Sequence, residues 1–180
     1  MNEREFWNAQ YSRHRHAHGP NETLIEVART LTPGSALDVG CGEGVDARWL
    51  AEHGWSVTGV DISSVALERA RTSPHVQWIE ADLHTWNPPA EFDLVTSHFV
   101  HVKPEARREF FTKLARAVRR GGSLLFVSHH HSDHSRPALA ELNFTADELH
   151  EFLPGEEWQL TYSGMRLKNT VVWAARQPRL

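Results

Sequence analysis

Apolar and polar positions alternate along this chain in blocks that predict strands and helices in turn. Short apolar runs at Ala36–Val39, Val57–Asp61, His75–Ile79, Phe92–Ser97 and Leu124–Val127 have the length of buried strands. Between them, apolar residues recur three and four apart. Asn21 caps a helix over Glu22–Leu31, with Leu24, Ile25, Ala28 and Leu31 on one side. Val45–His53 forms another, and Ser63 caps a third that runs to about Arg71. Pro104 opens a longer helix to about Arg119, with Phe110, Phe111, Leu114, Ala115 and Val118 as its buried stripe, and Gly121-Gly122 closes it. Ahead of all these, Asn2–Ser12 is helical and carries Phe6, Trp7 and Tyr11. A basic loop with His14, His16 and His18 follows. Buried strands separated by helices predict a parallel sheet with right-handed crossovers, an α/β fold. The pattern then changes. Thr145 caps a helix to Leu153, and the runs Trp158–Tyr162 and Thr170–Ala174 form an antiparallel hairpin on the sheet edge.

Composition narrows the class. At 180 residues the expectation is one domain, with an arm at 1–20, a core at 21–156 and the hairpin at 157–180. A net charge of −4 exerts no long-range pull on nucleic acid. The pairs Arg107-Arg108 and Arg119-Arg120 are expected on the solvated face and C-terminal end of a helix. The one cysteine, Cys41, excludes an internal disulfide and suits a reducing cytosol. No apolar run has the length of a leader or a membrane span. A cytoplasmic protein is expected, with no nucleic-acid or membrane partner and with its oligomeric state open.

The chemistry starts where the first strand ends. Leu37-Asp38-Val39-Gly40-Cys41-Gly42-Glu43-Gly44 carries a buried strand through a glycine-rich turn into a helix. Such a turn lets a ligand lie on bare backbone, before a helix that presents unpaired N–H groups. A dinucleotide site asks for G-x-G-x-x-G. Here Val45 occupies the place of its last glycine, and an acid, Asp38, precedes the turn. Asp61 ends the second strand, and Glu80-Ala81-Asp82 follows the third. Acids at successive strand ends suit a neutral or cationic nucleoside better than a phosphate-rich one.

In this order and spacing, LDVGCGEG at Leu37–Gly44, GVDIS at Gly59–Ser63 and EADL at Glu80–Leu83 resemble the class I S-adenosylmethionine-dependent methyltransferases. Phe6–Tyr11 and Asn143–Leu149 are similar to one small bacterial branch, that of the tellurite-resistance and thiopurine S-methyltransferase-like enzymes. The resemblance implies a Rossmann-like, seven-stranded, mostly parallel sheet in the order 3-2-1-4-5-7-6 with helices on both faces. It also implies S-adenosyl-L-methionine as cofactor. Asp38, Gly40, Cys41 and Gly42 would hold its amino-acid end, Asp61 its ribose and Asp82 its adenine amino group. Ile62 and Leu83 would pack on the adenine, and Ser97 completes the set. Trp7 and Tyr11 would form a lid over it. The acceptor would be a small molecule, such as a thiol, phenol, amine or metalloid. Asn87-Pro88-Pro89-Ala90 resembles the motif of amino-methylating nucleic-acid enzymes, but it precedes the fourth strand and lacks the final aromatic residue.

Histidines crowd the positions after strands four and five: His98 and His101, then His129, His130, His131 and His134. Three readings stay open for them. One is a solvated polar loop. Another is a general base, His98, His129 or His130, since imidazole titrates in the useful range. The third is a metal site of His98 or His101 with His129, His131 or Asp133, although no recognised metal motif is present. A protein that binds the cofactor or a metal without methyl transfer is the alternative to an enzyme. A nicotinamide-dependent oxidoreductase is disfavoured by Val45 and Asp82.

Overall fold

Burial selects the strands. Leu37, Val39 and Val60 have no exposed surface, and they lie in β1 (Ser35–Val39) and β2 (Ser56–Asp61). The two strands pair in parallel, with Leu37 beside Thr58 and Val39 beside Val60. On the other side of β2, β3 (Val76–Glu80) is also parallel, bringing Glu80 level with Asp61. The computed structural model describes residues 2–15, 18–130, 142, 144–153 and 155–178. The chain divides into two compact units, Met1–Trp86 and Asn87–Leu180.

In the first unit the helices start where the side chains can cap them. Asn2 and Glu5 form a capping box on α1 (Glu3–Arg13). The Asn21 side chain accepts from the Thr23 and Leu24 N–H groups at the head of α2 (Glu22–Ala28). Ser63 accepts from the Ala66 N–H on α4 (Ser64–Ala70). Each cap contributes about 1 kcal/mol. The exception is α3 (Val45–Glu52), which begins at Gly44 without a side-chain cap.

In the second unit β4 (Phe92–His98) pairs in parallel with β5 (Val118–His129). Between them, α5 (Pro104–Arg116) buries Phe110, Phe111 and Leu114. Phe111 is the centre of a ring cluster, with Phe126 at 5.1 Å and Phe144 at 4.9 Å, both edge-on. A short helix, α6 (Ala146–His150), carries the buried Leu149. Then β6 (Trp158–Arg166) and β7 (Asn169–Arg176) form an antiparallel hairpin. Its two-residue link, Leu167-Lys168, has φ of 47° and 67°, the left-handed pair of a type I′ turn. β7 also runs antiparallel to β5, and the seven strands are ordered β3-β2-β1-β4-β5-β7-β6. No helix among the described residues is long and apolar enough to cross a membrane.

Several expected boundaries move. The helix from Pro104 stops at Arg116, and β5 already starts at Val118, which pairs with Phe92. Arg119 and Arg120 therefore belong to a strand, where they form ion pairs with Asp93 and Glu157. Arg107 is not solvated. It is buried on α5, donates from Nη1 to both carboxylate oxygens of Glu148 at 2.8 and 2.9 Å, and from Nε to the Val102 carbonyl. Residues 29–31 lie beyond α2, and Thr145 caps α6 from outside while that helix ends at His150.

Candidate functional site

The glycine turn is fastened to β2 by backbone donors. Gly40 N–H and Cys41 N–H both reach the Val60 carbonyl, at 2.8 and 3.1 Å. Gly42 N–H donates to Asp61 Oδ2 at 2.8 Å, and Ser63 N–H donates to Asp61 Oδ1 at the same distance. One carboxylate thus fixes both the turn after β1 and the turn after β2. Burial raises the Asp61 carboxyl above its ordinary value, and the Ser63, Gly42 and Ile62 backbone groups pull it back. Asp38, at the end of β1, is 2% exposed.

Bare backbone is needed here for two different reasons. At Gly42 (φ 53°) a Cβ would lie 2.6 Å from the Tyr11 hydroxyl, so the α1 phenol covers this part of the turn. At Gly44 (φ 73°) a Cβ would lie 2.8 Å from Cζ3 of Trp78 and closer still to its Cη2. That β3 indole also covers Gly59, where a Cβ would meet it at 2.7 Å. Gly44 therefore lets helix and sheet pack around an indole. Trp78 was not anticipated from the sequence; its only signal was a large aromatic residue one strand away from two glycines.

Tyr11 stands among acids. Burial raises its phenol far above the ordinary value of 10.0, and the negative charges of Asp61, Glu43 and Asp38 act in the same direction. The Cys41 thiol is likewise pushed well up, first by burial and then by Asp38 and Asp61, so it stays protonated and a poor nucleophile. The rest of α1 crosses the ends of β2 and β3. Arg4 donates to the Ile62 carbonyl at 3.2 Å and forms an ion pair with Glu80. Asn8 Oδ1 accepts from the Ser63 hydroxyl at 2.7 Å, and Glu3 pairs with His84 at 3.2 Å. Trp7 lies between Phe6 and Tyr11, with ring centroids 5.3 and 6.5 Å away. Asp82 accepts from His84 N–H at 2.9 Å, Leu83 is half-buried and Ile62 is buried.

In the second unit the candidate histidines occupy the ends of β4 and β5. Ser97 and His98 are buried. His98 Nε2 is hydrogen-bonded to Thr96 Oγ1, 2.5 Å away. Phe99 follows with φ of 55° and donates its N–H to the Val127 carbonyl at 2.7 Å. A bulky residue in left-handed backbone costs about 1–3 kcal/mol. The Phe99 ring rests on His129 at 4.6 Å, and the His101 ring lies 6.3 Å from the same imidazole. His130 follows, half-buried. His16, His131, Asp133 and His134 lie outside the described residues, so the structure reaches only part of the expected metal set. Among the described residues no group of three or more His, Cys, Asp or Glu side chains is arranged to hold a metal ion.

Residues 36–122 match the model of a family described as a methyltransferase domain. The matched stretch holds the glycine turn, Asp61 and Asp82, residues on which the resemblance to class I S-adenosylmethionine-dependent methyltransferases rests. An uncharacterised methyltransferase of Mycobacterium tuberculosis is 35% identical over 111 residues, 59% of this chain and 56% of that protein. A probable thiol methyltransferase of Arabidopsis thaliana is 32% identical over 57% of this chain and 49% of its own length. The chain thus spans about half the length of these relatives. TehB of Haemophilus influenzae shares the fold, with a TM-score of 0.76 and 18% identity over 97% of this chain and 66% of that one.

Proposed function

We propose that this chain works in the cytoplasm as a single methyltransferase domain that passes a methyl group from S-adenosyl-L-methionine to a small-molecule nucleophile. The observation that carries this reading is the joint hold of Asp61 on Gly42 and Ser63, with Asp38 buried beside the same turn. Carboxylates around bare backbone suit a ligand with a cationic amino-acid end and ribose hydroxyls. Bound there, the cofactor supplies an electrophilic methyl group. The chain's own residues bind and orient it. Asp38 and the Gly40–Gly42 backbone take its amino-acid end, Asp61 accepts from ribose, and Ile62, Asp82 and Leu83 receive the adenine. Tyr11, kept neutral, covers the turn as part of a lid with Trp7, and a neutral phenol repels no anionic neighbour.

Deprotonation of the acceptor falls to His129 in this reading. It is half-buried at the strand end, whereas His98 is buried and His130 lies past the strand. A positioned base of this kind contributes about 10²–10⁴-fold. The Arabidopsis relative's name points to a thiol as the first acceptor to try.

The test is calorimetric titration of S-adenosylhomocysteine into chelator-treated protein. Micromolar binding is expected, weakened at least about tenfold by Asp61→Ala, since hydrogen bonds to a charged group contribute about 1.5–3 kcal/mol. No binding by the parent chain overturns the cofactor reading. Binding without product formation from any thiol, phenol or amine would instead favour a cofactor-binding protein.

A further inference from the structure

We infer that Phe99 is a positioning residue for His129, holding the imidazole in one orientation at the end of β5. The inference rests on the reading of His129 as the base. Among the described residues three other than glycine have positive φ: Phe99, Leu167 and Lys168. The last two are the central pair of the hairpin turn, which requires that conformation. Phe99 has no hairpin to account for it. A bulky side chain enters left-handed backbone only where its surroundings over-determine it.

Two contacts do so here. Its N–H is bonded to the Val127 carbonyl at 2.7 Å, one residue beyond the register pair His98 and Val127. Its ring packs on His129 at 4.6 Å with the planes 35° apart. In an extended continuation of β4, residue 99 would simply alternate to the face opposite His98. The left-handed turn instead directs the phenyl at the neighbouring strand's imidazole. The chain then returns with His101, whose ring is 6.3 Å from the same imidazole. With a flat ring against it, the His129 imidazole keeps one plane, so the hydrogen bonds of its two nitrogens, which set the tautomer, keep one geometry. A base used for proton transfer needs that constancy.

The experiment is a long-range proton–nitrogen correlation spectrum of the full chain with nitrogen-labelled histidine. The His129 signals are assigned from their loss in His129→Gln. One tautomer should dominate in the parent protein. In Phe99→Gly the backbone is relaxed but the ring is gone, and the tautomer ratio should fall about threefold to tenfold, the range of one aromatic contact. Phe99→Tyr should restore it. Should the glycine variant fail to fold, Phe99→Leu keeps apolar bulk without a flat ring and should show the same fall. An unchanged ratio in whichever variant folds overturns the proposal. Full methyl transfer by His129→Gln would remove the base reading, and the tautomer result would still decide whether Phe99 orients the ring.

Discussion

At the ends of β1 and β2 the contacts that shape the rim run through backbone N–H groups, whereas at the ends of β4 and β5 they run through side-chain rings. Gly42 and Ser63 donate to Asp61 in the first region. In the second, Phe99 and His101 surround His129. Backbone contacts require particular residue types at set spacing: glycine where φ is positive, an acid where the strand stops. Ring contacts can be met by many residues at many spacings. The first kind of site therefore leaves a written mark, and the second does not.

The largest test of that contrast is Gly44→Ala. A Cβ there meets the Trp78 indole, and φ is 73°. Overpacking of about 1–3 kcal/mol and left-handed strain of about 1–2 kcal/mol add to roughly 3 kcal/mol of lost stability in urea unfolding. A loss under about 1 kcal/mol would mean the turn is softer than a backbone-built site should be.

A smaller, pH-dependent effect is expected from Tyr11→Phe in alkali. The unfolded phenol ionises from its ordinary 10.0, while burial among acids keeps the folded one protonated. The native state then binds more protons, so this group's contribution to stability is complete below pH 10 and declines as pH rises above it. At pH 11 the parent should have lost about 1 kcal/mol that the phenylalanine variant does not lose. Cys41, raised from 9.0, adds a decline of the same sign to both proteins. Parallel stability curves across this range would place Tyr11 in water.

The smallest expected change in stability is that of His129→Gln. As a half-buried residue at a strand end that loses its ring contact with Phe99, it should lower stability by about 0.5 kcal/mol, the low end for one such contact. Transfer to a thiol acceptor should nevertheless fall by about 10²-fold or more. Equal losses of stability and turnover would erase the distinction between the two rims.

How much could be read from the chain follows the same division. Asn21, Ser63 and Thr145 act as the expected caps, and the strand order is the one implied by the resemblance. Local chemistry announces a cap, and a family motif carries a topology. Arg107 misled because its polarity is offset by Glu148 in another helix, a partner that no local pattern reveals. Arg119 and Arg120 extended the apparent helix for a related reason: Asp93 and Glu157, elsewhere in the chain, neutralise charges that a strand would otherwise expose. At the candidate site the glycine-rich turn was legible as local backbone. Tyr11 was anticipated as a lid from the resemblance, and the bond from Asp61 to Gly42 was not anticipated. Trp78 and Phe99 passed unnoticed, because each acts by where its ring points.

Asp61 has a consequence for how such a protein can change over generations. The same carboxylate that would meet a ribose is already the brace between two loops of the scaffold. Selection for ligand recognition and selection for a foldable chain therefore converge on one codon. Drift towards a new ligand is easier through Ile62, Asp82 or Leu83, none of which joins those two loops.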